Sequence, residues 1–264
     1  MYEITVINEY TSRMCLSYKD IFTTVYAVKT EEGALLFDAA TFESDITEHI
    51  SPMLTSLGIG RDDLKYIFVS HNHTDHAGGV PYLASLYPNA TVLTRSPQLV
   101  EKYPELNIKI MKGGDTFLGC LSAVEIPGHS ADSSALYDTR TKTLITGDSL
   151  QLYGIFGSQD WGSNIGLPAE HLAALLPVYE MDIEEIHSAH DFHPYGIAFV
   201  GREMVHSALD ACREPLLKMR DLIKSNPEKS DAEIRVLYNA SANIPPVREG
   251  VFKNVRLAIT EGKM

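Results

Sequence analysis

The sequence predicts an α/β fold, β-rich at its start and alternating afterwards. Two observations carry this expectation. Short apolar runs rich in β-branched and aromatic residues, such as Tyr66-Ile67-Phe68-Val69-Ser70, recur between clusters of glycine, proline and polar residues. From residue 45 onward, stretches with helical apolar spacing lie between these runs, and residues 200–264 are helical in pattern.

Taken in order, residues 2–8, 21–29 and 34–38 read as strands, with Glu31-Glu32-Gly33 as a hairpin turn. Asp45-x-x-Glu48 resembles a capping box that opens a helix to about Leu57. A strand over 66–70 follows, then a helix from Gly79 to Tyr87. Strands come next near 90–94, 108–111, 115–126, 134–138 and 143–147. A helix opens at Pro168 and runs to about Tyr179, and Ile183 to Ser188 reads as a strand. Phe199 to Ile223 is a long helical pattern, interrupted or kinked at Pro215 and ended by Asn226-Pro227. Ser230-x-x-Glu233 caps a further helix, and residues 247–261 form another. The expected division is a core over residues 1–200 and a helical extension over 201–264 that packs on it, with a part in a substrate lid as the alternative.

The strand at 66–70 runs into His71-Asn72-His73-Thr74-Asp75-His76, three imidazoles and a carboxylate in six residues, followed by Ala77-Gly78-Gly79. Strand ends are where α/β folds place their sites. Imidazole and carboxylate together suit divalent metals such as zinc, iron or manganese.

This H-x-H-x-D-H pattern resembles the signature of the metallo-beta-lactamase superfamily. The later ligand positions of that family also have counterparts: His129 in Ile126-Pro127-Gly128-His129, Asp148 at the end of Thr143-Leu144-Ile145-Thr146-Gly147, and His190 after Ser188-Ala189. Asp38, after Ala34-Leu35-Leu36-Phe37, matches an early structural aspartate. The match spans roughly residues 20 to 195. The resemblance implies a four-layer αββα sandwich, with the helical extension beyond it. It implies two divalent metal ions, zinc by preference with iron or manganese as alternatives. His71, His73 and His129 would hold one metal and Asp75, His76 and His190 the other, with Asp148 bridging. Asp75 would also accept a proton as the catalytic carboxylate, and a bridging hydroxide would attack the substrate. Asp38 would orient ligand histidines.

The expected activity is hydrolysis of a small ester, lactone or thioester. Phosphodiester hydrolysis and iron-dependent oxygen chemistry, of the persulfide dioxygenase or diiron kind, are the alternatives. Aspartate at 148 departs from the beta-lactamases that carry cysteine there, and His73 departs from the glutamate usual in flavodiiron proteins.

Leu150 to Leu167 holds Tyr153, Phe156 and the sole tryptophan, Trp161, among Gly154, Gly157, Gly162 and Gly166. The stretch reads either as a mobile substrate-contacting loop or as the plug of a small local core. Tyr153 could donate to a substrate oxyanion. His193 could be an alternative ligand or could support one. His187 reads as a core residue or a support for a ligand, and His49, His171 and His206 read as surface residues of helices. No Arg/Lys cluster stands out in the C-terminal part.

The formal net charge of −13 argues against nucleic-acid or anionic-membrane partners and for a small-molecule substrate. A homo-oligomer is compatible with the composition. No run approaches 18 apolar residues, the start lacks a basic-then-apolar leader, and the three cysteines, Cys15, Cys120 and Cys212, lie far apart. These features together predict a cytoplasmic protein with reduced thiols.

Overall fold

The computed structural model describes residues 3–156, 161–240 and 244–264. Gly157, and the first residue of the strand expected over 2–8, lie outside the described residues. Seven strands form one sheet in sequence order: β1 (Ile4–Val6), β2 (Thr11–Tyr18), β3 (Ile21–Thr30), β4 (Gly33–Phe37), β5 (Leu64–Phe68), β6 (Thr91–Thr94) and β7 (Ile108–Ile110). The first four are antiparallel, and β4 through β7 are parallel.

A second sheet has the order β13-β12-β11-β10-β9-β8. It is built from β8 (Thr116–Phe117), β9 (Leu121–Glu125), β10 (Ser134–Asp138), β11 (Thr143–Ile145), β12 (Glu185–Phe192) and β13 (Gly196–Val200). Its only parallel pair among the described residues is β11 with β12.

Period-two alternation assigns the faces. Tyr26, Val28, Leu35, Phe37 and Phe68 meet Leu121, Leu136 and Ile145 of the other sheet in a core between the sheets. Their neighbours Val25, Ala27, Leu36 and Ile67 face outward onto Ile46, Ile50, Leu54 and Leu83. Those residues come from the π-helical turn Asp45–Ile50, α1 (Ser51–Ser56) and α3 (Val80–Leu86). On the far side, Ala135, Leu144 and Ile186 pack against α5 (Pro168–Tyr179) and the first half of α6 (Arg202–Ser225). The layers are therefore helix, sheet, sheet, helix, as the resemblance implies. The short helices α2 (Thr74–Ala77) and α4 (Pro97–Lys102) fill connections of the first sheet.

The C-terminal helices α7 (Asp231–Asn239) and α8 (Glu249–Thr260) join the second half of α6 in a cluster around Phe252, Tyr238 and Leu216. Ile165 of the glycine-rich loop belongs to this cluster as well. Ser230 and Glu233 form the reciprocal capping box that the sequence predicts.

Several expectations change. Strand β2 lies where no element was expected, because its alternating Thr-Ser-Arg-Met-Cys-Leu pattern is polar on one face. Asp45 is not a capping residue. Its carboxylate reaches back to the backbone amides of Thr41 and Phe42, and the helix starts as a π-turn. Phe199 belongs to β13, so the long helix starts at Arg202, and it continues through Pro215. His206 is exposed, but His171 is fully buried in α5, its Nδ1 3.2 Å from the Pro127 carbonyl.

Gly79 marks a forced contact. A Cβ there would lie 2.0 Å from the Ala39 carbonyl oxygen and 2.7 Å from Ile46 Cδ1. Only glycine lets the start of α3 approach the loop after β4 this closely. Gly79→Ala should destabilise the fold by about 1–3 kcal/mol, as overpacking does; an unchanged urea midpoint would refute this. His171 supplies a pH test. Burial pushes its imidazole down to about 4 from 6.5. A folded-state pKa below the unfolded one means the unfolded chain binds the extra proton, so His171 lowers stability as pH falls from about 6.5 toward 4. His171→Gln should therefore flatten the acid-side slope of stability in urea titrations.

Candidate metal centre

All seven sequence-predicted ligand residues converge at one end of the two sheets. Asp38 follows β4, His71 to His76 follow β5, His129 follows β9, Asp148 follows β11, and His190 lies within β12 where its pairing to β13 is irregular. Donor atoms fall into three overlapping trios, each mutually within 4.8 Å: His71, His73 and His129; Asp75, His76 and His190; and His71, His76 and Asp148. Asp148 lies between the first two. Its Oδ2 is 3.5 Å from His129 Nε2, and its Oδ1 is 3.0 Å from His190 Nε2 and 3.5 Å from His76 Nε2. Asp75 Oδ2 is 3.2 Å from His76 Nε2 and 3.5 Å from His190 Nε2.

The surrounding backbone and side chains decide which ring nitrogen carries the proton. His129 Nδ1 lies 2.8 Å from the Asn164 carbonyl, and His190 Nδ1 contacts the Phe22 carbonyl. Carbonyls only accept, so both rings are protonated on Nδ1 and turn Nε2 inward. Burial opposes a charged His190, but Asp148 outweighs it and raises its pKa, and a bound cation would replace the Nε2 proton. His76 Nδ1 is 2.7 Å from Asp38 Oδ2. Ser70 Oγ donates to Asp38 Oδ2 at 3.0 Å, so it accepts from His71 Nδ1 at 3.1 Å. The Ser70 amide donates to Asp38 Oδ1 at 2.8 Å. His73 differs, presenting its Nδ1 to His129 Nε2 at 2.9 Å.

The residues fit a cation-binding centre. His71 Nε2, His76 Nε2 and Asp148 Oδ1 are buried and make no hydrogen bond, which is costly for polar atoms unless something else partners them. Protonation states agree with this. Burial holds His71 and His129 below the ordinary imidazole range, hence neutral. Burial opposes the Asp148 carboxylate, but His190 and His76 outweigh it and hold the group well below the usual carboxylate range. Burial likewise opposes a charged His76, and Asp75, Asp38 and Asp148 outweigh it and raise its pKa. Such a ring releases its proton when a cation replaces it.

Five of the seven, His73, Asp75, His129, Asp148 and His190, line a cavity of ≈ 310 Å³, and His71 and His76 are buried behind them. Trp161 borders it, and the indole Nε1 donates to Asp20 Oδ1 at 2.9 Å. Other expected contacts lie elsewhere. Tyr153 points away and gives its hydroxyl to Glu214 on α6, in a separate groove with Tyr238 and Lys218, because the chain turns at Gly154. Phe156 is exposed and stacks on His193, ring centroids 5.2 Å apart, and neither lines the cavity. His187 is buried beside Glu185. Lys19 and Arg248 also line the cavity. No local signal marks them, since 229 positions separate them in sequence.

A family profile for the metallo-beta-lactamase superfamily matches residues 18–222. The chain belongs to this superfamily. Solved structures with the same fold include a metallo-beta-lactamase from Pontibacter korlensis (19% identical, TM-score 0.61, covering 81% of this chain and 100% of that one). A flavo di-iron protein from Thermotoga maritima is also similar (15% identical, TM-score 0.65, covering 83% and 62%). An uncharacterized protein, YobT of Bacillus subtilis (strain 168), is 32% identical over 151 residues, 49% of this chain and 62% of that protein. An atrochrysone carboxyl ACP thioesterase of Claviceps purpurea (strain 20.1) is 28% identical over 144 residues, 53% of this chain and 44% of that enzyme. These matches span less than two thirds of the curated relatives' own lengths.

Asp38 supports two inward-facing rings at once. Asp38→Asn would keep the shape but lose one acceptor, and it should weaken metal binding about 10- to 100-fold, the usual cost of losing such support. Competition against a chelator would measure it; unaltered affinity would show that the rings orient without Asp38.

Proposed function

We propose that this superfamily member is a metal-dependent hydrolase of small esters, lactones or thioesters, with thioesters the first candidates. The observation that carries the reading is Asp148, whose two oxygens face the two donor groups, His129 on one side and His76 with His190 on the other. Seven nitrogen and oxygen donors exceed one tetrahedral centre and suit two ions sharing a carboxylate. Bound divalent ions, zinc in our reading, would supply a water acidic enough to act near neutral pH and would polarise the electrophile. The ligand chemistry also accommodates iron or manganese. The thioesterase relative supports the thioester choice.

The chain's own residues would do the rest. His71, His73 and His129 would hold one ion, and Asp75, His76 and His190 the other, with Asp148 shared. Asp75 borders the cavity and is ionised, because His76 outweighs the cost of its burial. It would take up the proton released during attack and pass it to the leaving group. The cavity of ≈ 310 Å³ suits a small substrate.

Elemental analysis of protein purified without added metal should find two metals per chain, and turnover of a thioester and lactone panel should be chelator-sensitive. One iron per chain with oxygen uptake would overturn the reading in favour of oxygen chemistry. Phosphodiester turnover without ester turnover would overturn the substrate class. His71→Ala should abolish turnover and lower metal content while the far-ultraviolet circular dichroism stays native; full activity would remove His71 from the centre.

A further inference from the structure

The segment Pro127-Gly128-His129 lies against the start of α5. The amides of Gly166 and Leu167 both donate to the Gly128 carbonyl at 2.8 Å. The Asn164 carbonyl accepts from His129 Nδ1. His171 stands one turn into α5, with no solvent exposure, its amide bonded to the Leu167 carbonyl at 2.9 Å.

The His171 ring presses on Gly128. A Cβ at Gly128 would lie 2.2 Å from His171 Nδ1 and 2.5 Å from its Cγ, and the glycine φ is 155°. The ring also faces the Pro127 carbonyl, with Nδ1 3.2 Å away. A carbonyl only accepts, so Nδ1 carries the proton. Three consecutive residues are thus held from one helix end: Pro127 by the His171 side chain, Gly128 by two backbone amides, and His129 by the Asn164 carbonyl.

The ring does more than fill space. Its Nε2 is buried without a hydrogen-bond partner among the described residues, which costs stability. An apolar side chain of similar volume would avoid that cost, but it would present no donor to the Pro127 carbonyl.

We propose that His171 is a positioning residue for His129. Its Nδ1–H and ring fix the Pro127-Gly128 backbone, and through it the direction in which His129 turns Nε2 toward His73 and Asp148. The inference rests on the reading of His129 as a metal ligand and reaches a residue outside the donor set. It concerns one donor group only. In the other, His76 leans on Asp38 and His190 on the Phe22 carbonyl, neither of them on α5.

In zinc-loaded protein, chelator competition reads the affinity of each ion. His171→Leu should weaken one ion at least about 10-fold and the other less than about 3-fold, the usual size of an effect on a ligand's support. His129→Ala should weaken the same ion. In His171→Asn the side-chain amide nitrogen stands near the place of Nδ1, and most of the lost affinity should return. Loss of an ion in His129→Ala with both ions held normally in His171→Leu would overturn the proposal. Equal weakening of both ions in His171→Leu would do so too, as a general loss of packing. So would an asparagine variant no tighter than the leucine one. Should His171→Leu fail to fold, His171→Gln, whose amide stands one carbon further out, takes its place in the comparison. Retention of both ions in His129→Ala would instead overturn the ligand reading itself.

Discussion

The arrangement at the centre depends on one buried carboxylate. Asp38 sits at φ 63° just after β4, its amide bonded to the Phe68 carbonyl at 2.7 Å, with no solvent exposure. Burial disfavours its charge and raises its pKa, and His76 and Ser70 offset only part of that cost with three hydrogen bonds. In return, the carboxylate fixes the protonation of His76 directly and of His71 through the Ser70 hydroxyl. A free imidazole has two tautomers and rotates about its side-chain bonds; here neither freedom remains. The contact that lets Asp38 reach both rings is the parallel pairing of β4 with β5, which brings residue 38 beside residue 70.

The rest of the centre follows from the same economy of backbone groups. Two further rings are pinned by carbonyls, one from the β3 end of the first sheet at Phe22 and one from the glycine-rich loop at Asn164. The first sheet thus orients a donor that the second supplies: Phe22 of the first holds His190 of the second. A buried cluster of imidazoles and carboxylates is expensive in an apolar interior, and the core between the sheets and the two outer helical layers provide the rigidity that holds it.

The C-terminal helices have a part in this beyond packing. Asn254 of α8 donates to the Ile165 carbonyl at 3.3 Å, and Pro246 lies on Gly162. Gly162, Asn164 and Ile165 therefore lie between His129 and the extension. The aromatics of the glycine-rich loop divide their duties: Trp161 at the cavity mouth, Tyr153 turned to Glu214 on α6, and Phe156 stacked outside on His193. The two sequence readings of this stretch, substrate contact and local plug, apply to different residues of it.

What the sequence by itself determined is the local chemistry: the apolar strand ending in His71 to His76, the turn at His129, Asp148 at a strand end, the helix from Pro168 to Tyr179 and the capping box at Ser230. Each is written in neighbouring residues, and the spacing resembling the superfamily extended them to a fold class. Strand β2 escaped because its pattern is half polar, and His171 was misplaced because helical spacing alone does not say which face another loop covers. Only the tertiary structure decided that Tyr153 turns from the cavity and that Lys19 and Arg248 meet on Trp161. The physical reason is range. Secondary structure and turn chemistry act over a few residues, whereas which side chains share a cavity is set by sheet pairing and helix packing that join positions hundreds of residues apart.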